Sequence, residues 1–393
     1  VSAQYAYTAN FDWKAASKSY EKKIGNLLQN SNTHNVNTTF SFARLYRDIG
    51  IKKLFVKKKN NQKKQSKGAK LPMKGAVKST RVKQSTSQKI LLGIYDVITS
   101  VKTAKLSYTE NNGTVLPGYT GGTGFLGRDY TGSGLGPTLG FVFGSQIDIR
   151  NRALINGWLV NPRDTVNGEY FNKTYSTTHY DKLNYTVSIK PFKNLSIELR
   201  GNRIQTKRIS QQLDVIDDGS EFGDLASTPV FESGNFSTSY SMFSTAFKNS
   251  DALFQEMKDN QAIIANRLTT IDRPTADKFG SQEILLPAFL AAYSGKNPNS
   301  VSLGAFKNIP IPNWTLRYNG LMKLGWFKSN FRSFTISNGY KSSYTISNFT
   351  NNLQYTKRIE NPTTKKYESK LLISSASLID EFSPLIKVEM KMK

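Results

Sequence analysis

The chain has 393 residues, room for two or three ordinary soluble domains, yet only 38% of it is apolar and its mean hydropathy is −0.46. It carries 54 Lys+Arg against 28 Asp+Glu, a net charge of +26 that points to anionic partners, and its lack of Cys excludes a disulfide framework and a cysteine-ligated zinc site. No stretch approaches the ~20 apolar residues of a membrane helix, which leaves open strands that cross a membrane in about 9–11 residues with half their side chains turned to water.

Residues 3–13 alternate, with Tyr5, Tyr7, Ala9, Phe11 and Trp13 on one face, and period two predicts a strand. Gly25, Asn26, Asn30, Ser31 and Asn32 predict a loop, and residues 35–46 a second strand with Val36, Phe40 and Phe42 together. Residues 1–51 therefore read as sheet strands. Residues 52–86 read as a basic disordered linker: nine lysines fall between Lys52 and Lys70 with no acid, and like charges at that density repel and bury no core. Residues 87–102 change period. Ile90, Leu91, Ile94, Val97, Ile98 and Val101 share one face of a short amphipathic helix behind Ser87, too short to span a bilayer.

Strands resume over 103–207. Ala104, Leu106 and Tyr108 alternate with polar residues, and a long Gly-rich loop over 111–178 follows, holding an apolar piece at 139–143 and a candidate helix near 152–159. The clearest hairpin comes next. Leu183, Tyr185, Val187 and Ile189 oppose Lys182, Asn184, Thr186, Ser188 and Lys190; after a break at 191–194, Leu195, Ile197 and Leu199 oppose Ser196, Glu198 and Arg200. Residues 208–312 form a folded, extracellular-type loop insertion. One helix covers about 250–268, with Leu253, Phe254, Met257, Ile264 and Leu268 on one face, and a short one starts at Pro287 and stops at Gly295. Strands close the chain over 313–393: around Trp314, Leu316 and Tyr318; over 331–349; and over 369–380 and 385–393, flanking a turn at 381–384. Nine or ten strands are expected. Short turns at 191–194, about 323–329 and 381–384 fall on one side, and the long loops after residue 103 on the other. A membrane imposes such sidedness, so the fold class expected is mainly β: a segment of a very large antiparallel transmembrane β-barrel with long, partly helical loops. Both chain ends fall inside alternating runs, the pattern of a piece of something larger.

Catalytic chemistry finds little support. GxGxxG at 122–127 neither ends an apolar strand nor opens a helix, so it reads as a loop. Asp214, Asp217, Asp218, Glu221 and Asp224 miss the calcium-loop spacing and read as a solvated turn. His34 and His179 sit at expected loop–strand edges without metal-ligand spacing. The lysine run has only Phe55 for base stacking, so no nucleic-acid partner is expected. The chain reads as a non-enzyme with no cofactor.

Several stretches carry a family resemblance: GNLLQNSNT (25–33), YTENNGTVLPGY (108–119), GFVFGSQ (140–146), NGWLV (156–160), FQEMKDNQAIIANRL (254–268), LPAFLAAYSGKNPNSVSLGAFKNIPIPNWTLRYNGL (286–321) and FRSFTISNGYKSSYTISNF (331–349). With them the chain resembles the SprA/Sov family, outer-membrane translocons of the type 9 secretion system in gliding and related bacteria. The resemblance implies a bacterial outer-membrane pore that passes folded cargo proteins to the cell surface. It also implies a PorV-like small barrel and a periplasmic plug protein as partners, with outer-membrane lipid around the wall. Lys182, Asn184, Thr186, Ser188, Ser196, Glu198 and Arg200 are then the candidate lumen-facing residues. Leu183, Tyr185, Val187, Ile189, Leu195, Ile197 and Leu199 are the candidates to meet lipid or another part of the protein. Asn156, Gly157, Trp158, Phe254, Met257 and Trp314 are the candidate loop residues for partner or cargo contact. Two other readings share parts of the pattern: an outer-membrane solute channel or transporter, and a soluble basic β-protein that binds polyanions.

Overall fold

The structure, a computed structural model, describes residues 1–19, 21–50, 98–130, 135–161, 173–271, 281–355, 363 and 368–393. The basic linker and nearly all of the helix expected over 87–102 lie outside these residues; Val101 opens a strand. One antiparallel sheet dominates, ten strands in eight positions, each position hydrogen-bonded to its neighbours in chain order. β1 (Ser2–Lys14), β2 (Asn26–Ser41), β3 (Val101–Tyr119), β4 (Thr174–Phe192) and β5 (Leu195–Gln212) fill the first five.

The sixth position is split. β6 (Val230–Ser239) pairs with the upper half of β5, and β7 (Asn313–Tyr318) with its lower half. The chain leaves the sheet after Ser239, folds as an insertion, and returns at Asn313 to finish the same line. The backbone is stitched at the gap: Tyr240 N donates to Ser342 O at 3.1 Å and Ile311 N to Ser239 O at 3.0 Å. Gly201 lies beside this gap because a Cβ there would meet the Tyr185 ring at 2.2 Å. The Tyr185 hydroxyl in turn donates to Pro310 O at 2.8 Å and latches the returning chain.

β8 (Phe331–Asn351) fills the seventh position. β9 (Leu371–Phe382) and β10 (Lys387–Met392) lie end to end along it in the eighth. Residues 381–384 are therefore no hairpin turn. They belong to a bulge between two halves of one strand line, held by Gly339 N to Pro384 O and Ser383 N to Gly339 O, both 2.8 Å. Proline has no N–H to give a ladder, and a bulge needs none there.

Other expectations shift for identifiable reasons. Asn26–Asn32 are strand, not loop, because their side chains are bound by the chain above: Asn26 donates to Gly121 O, Asn30 to Phe141 O and Ser145 O, and Asn32 to Gly144 O. That strand ends at Ser41, where a helix, α1 (Phe42–Asp48), replaces the expected strand end. The Gly-rich loop shrinks to 120–173, since β3 runs to Tyr119 and β4 starts at Thr174. It holds α2 (Leu139–Val142), capped by the Thr138 hydroxyl accepting from Phe141 N at 3.1 Å, and α3 (Arg150–Ile155). The excursion expected over 208–312 contains β6, so the insertion is 240–312, built on α4 (Ser250–Ile271) and α5 (Gln282–Ser294). Pro287 sits inside α5 rather than at its start, and Gly295 caps it in the left-handed region at φ 63°.

Both excursions pack on one face of the sheet. Leu28, Leu116 and Tyr175 meet Phe141, Ile149, Ala153, Leu154 and Trp158 from 120–161. Phe236, Tyr344, Ile346 and Phe349 meet Leu286 and Leu290 of α5. Ile264, Ala265 and Leu268 of α4 bury against Ile284, Ala288 and Ala291 of α5. No strand residue of the opposite face joins any of these clusters.

Candidate functional site

Residues directly opposite in a sheet share a face, so the register sorts the side chains. Thr39, Lys105, Thr186, Arg200 and Asn313 form one row; Asn37, Ser107, Asn184 and Asn202 form the next. Lys182, Ser188, Ser196 and Glu198 share this face, as alternation predicts. Polar residues stand on it at all eight positions, including Gln4, Thr8 and Asn10 on β1, Ser233, Asn235 and Ser237 on β6, Ser343 and Thr345 on β8, and Ser377 and Glu381 on β9, with Ile204 and Ile379 among the apolar exceptions in these rows. Ser237 and Thr345 hydroxyls bond across strands at 3.0 Å. An open groove of about 500 Å³ crosses its upper part, lined by Thr178, Tyr180, Thr206, Arg208, Ser233 and Asn235. β6 contributes only short side chains there, and the β8 register slips between Ile346 and Phe349, which makes the depression.

The charges on this face are unequal. Glu198 pairs with Arg200 at 3.0 Å, Glu381 with Lys341 at 3.3 Å and Glu389 with Lys387 at 2.7 Å. Lys105, Lys182, Arg208 and Arg317 have no carboxylate within ion-pair distance among the described residues.

The other face carries Leu183, Tyr185, Val187, Ile189, Leu195, Ile197 and Leu199 in its lower half, opposite Ala104, Leu106, Tyr108, Trp314, Leu316 and Tyr318. Above them runs a polar belt that the alternation reading missed. Arg203 donates to Asp181 Oδ1 at 2.7 Å and to Gln205 at 2.7 Å. His179 Nε2 lies 3.6 Å from Asp181 Oδ2, and His179 Nδ1 lies 2.6 Å from Asn112 Oδ1. Asn112 donates to Asn32 and to Glu110, both at 3.0 Å, and the Tyr108 hydroxyl donates to Glu110 at 2.9 Å. His34 Nδ1 lies 2.8 Å from the Tyr5 hydroxyl. His34 and His179 are thus mid-strand, not at strand edges, because the strands outrun their apolar alternation. The signal was present: from Asp181 back to His179, and from Glu110 on to Asn112, inward positions turn polar. These groups bond one another along and across the strands, which is the condition for burying them, and Arg203 Nε is buried without a partner.

The candidate loop residues separate. Trp158 is 5% exposed in the core beneath the first excursion, so it supports the loop rather than meeting a partner. Asn156 donates back to Arg152 O at 2.7 Å, and Gly157, at φ 67°, turns the chain against Phe222. Trp314 is a strand residue, stacked on Tyr340 at 4.4 Å with its indole N–H on Asn338. Met257 packs on the core between α4 and α5. Phe254 alone stays large, apolar and exposed, with the Lys258 ammonium 4.6 Å over its ring.

No cluster of three His, Cys, Asp or Glu suited to a metal occurs among the described residues. The acids of 214–224 serve their own turn: Asp217 accepts from Gly219 N, Asp218 from Ser220 N, and Asp224 from Leu225 N. Asp148 is held below the usual carboxylate range by its hydrogen bond from Arg150, whose guanidinium lies 4.6 Å over the Tyr175 ring. No helix among the described residues is long and apolar enough to cross a membrane, which says nothing about strands. No family model and no curated protein matches the chain.

Proposed function

We propose that this chain is a wall segment of an outer-membrane β-barrel that conducts folded cargo proteins to the cell surface, of the kind its motifs resemble. The observation that carries the reading is the sheet itself. Eight antiparallel positions follow in chain order, with strands reaching 21 residues and one face mostly polar from edge to edge. Strands of soluble sheets usually run about 3–10 residues, and six of these run 13–21 residues. A pore wall needs a wet face along its whole height. β1 and the β9–β10 line pair on one side only among the described residues, and a wall in lipid requires both edges paired by further strands. Eight positions close only a narrow, side-chain-filled barrel, so a protein-wide pore takes many more strands than these.

The test is deletion of the gene, with proteomics of the medium and cell surface and fractionation of the envelope. Loss of many exported proteins, with the product in the outer membrane, is the expected result. Normal export with loss of one nutrient's uptake overturns it in favour of a solute transporter. A product in the soluble fraction overturns the membrane reading altogether.

A further inference from the structure

The charge on the polar face is arranged, not merely abundant. Three of its acids are tied to a Lys or Arg on the same face, while Lys105, Lys182 and Arg208 have no carboxylate within ion-pair distance among the described residues. Lys105 and Lys182 stand on neighbouring strands, and Arg208 lines the groove. On the covered face the balance reverses: Asp181 takes Arg203, and Glu232 takes Lys207 at 2.9 Å, so the cations there are neutralised. The net positive charge is therefore directed to one side of the sheet.

We infer that this face is an anion-favouring wall, one that draws acidic stretches of a passing polypeptide toward it and holds basic stretches away. The inference rests on the wall reading and names the cargo chemistry that the wall suits. At physiological salt a surface charge is felt over about 8 Å, so the effect acts on whatever touches or nearly touches the wall. Confined, same-sign surfaces raise local counter-ion concentration by about 10-fold or more. The neutral Ser, Thr and Asn rows between the cations offer no apolar hold, so an acidic segment is attracted without being trapped.

The chain contains no cysteine, so a single introduced thiol is its own reporter. Thr186 is the position to use: it lies directly across from Lys105 on one neighbour and from Arg200 on the other. In intact cells carrying the full protein, Thr186→Cys is reacted with a negatively charged (sulfonate) and a positively charged (trimethylammonium) methanethiosulfonate. The ratio of the two rates is compared with that of a free thiol. Nearby lysines also make the thiol more reactive, but that factor is common to both reagents and cancels in the ratio. The expected result is a ratio favouring the anionic reagent by about 10-fold, falling toward the free-thiol value when Lys105→Gln and Lys182→Gln are added. A free-thiol ratio in the parent overturns the inference and leaves the wall reading standing. A thiol that reacts with neither reagent, while Val187→Cys on the other face does react, overturns the assignment of the polar face to water, and with it the wall reading.

Discussion

The polar belt makes a demanding prediction. Asp181 is 7% exposed at its side chain and Arg203 18%, with 2.7 Å between them. Arg203→Met keeps an apolar stem near the Phe236 ring, which the guanidinium now faces at 5.8 Å, but leaves Asp181 with the His179 ring, at 3.6 Å, as its nearest ionisable neighbour. Breaking a buried pair from one side costs about 3–5 kcal/mol, since the remaining charge loses its partner without regaining water. At a urea slope of about 2 kcal/mol/M, the unfolding midpoint falls by roughly 1.5–2.5 M. Removing both charges with Arg203→Met and Asp181→Leu restores most of that loss, because a buried pair replaced by apolar groups is often neutral. The assay is urea unfolding of the detergent-reconstituted chain followed by tryptophan fluorescence. A single variant within about 0.5 kcal/mol of the parent, or a double variant no better than the single, refutes the reasoning that Asp181 and Arg203 form a coupled buried pair.

Three further outcomes follow from the packing and ionisation of the insertion. Leu290, fully buried against the strand face, should lose about 2–5 kcal/mol on Leu290→Ala, read as a lowered thermal midpoint. Gly201→Ala should push the Tyr185 ring away and break its bond to Pro310, so that limited proteolysis within 296–312 accelerates; adding Tyr185→Ala should make the alanine tolerable. Burial pushes the Lys307 ammonium from 10.5 down to about 8, with Lys296 adding to it. The unfolded chain then holds a proton that the folded one has released between those values, so stability climbs as pH rises from about 8 toward 10.5, and below about 8 the cost of burying this charge is constant. In Lys307→Met the climb should flatten, measured as the difference in thermal midpoint between pH 7.5 and 9.5.

What the sequence disclosed and what it concealed divide on a physical line. The hairpin 182–207 was legible because each residue from Lys182 to Ile189 alternates, and one buried face fixes the register. β6 was not: VFESGNFSTS alternates poorly, and its strand state is imposed by β5 on one side and β8 on the other. The asparagines of β2 carry turn propensity that the carbonyls of 120–145 override. The split positions were illegible in principle, since a chain that leaves a strand and resumes it, or bulges within it, has the local signature of a turn. That removes 381–384 from the sidedness argument. After residue 103 the connections still sort, with 193–194 and 319–330 at one end of the sheet and 120–173, 213–229 and 352–370 at the other, while the long 42–100 connection shares the end of the short turns. The candidate lumen-facing set was placed on one face by period alone, but its uncompensated charge needed the register and the ion pairs. Of the candidate loop residues, Trp158 and Trp314 are large and apolar, a property that suits core and strand as well as a contact surface.

The two halves of the apolar face bear on the wall reading in different ways. Its upper half is occupied by the excursions, whose edge reaches down to Tyr185 through Pro310 and to Trp314 through Phe243, and its polar belt lies where they begin. Its lower half, from Leu183 to Phe192 on β4, runs about 30 Å at ~3.3 Å per residue, and with a tilt near 40° it stands about 23 Å tall, close to the ~25 Å apolar band of an outer-membrane barrel. Exposed apolar side chains collect at its foot: Phe192, Leu324 and Trp326 in the connections, and Met390 and Met392 on β10. Trp326, Phe327, Phe331 and Phe334 cluster there with ring centroids 4.9–5.9 Å apart, flanked by Lys323 and Lys328. Aromatic rings with lysines beside them are what a membrane interface selects. On the wall reading, the opposite, mostly polar face leaves this end of the sheet as the place where such rings meet lipid.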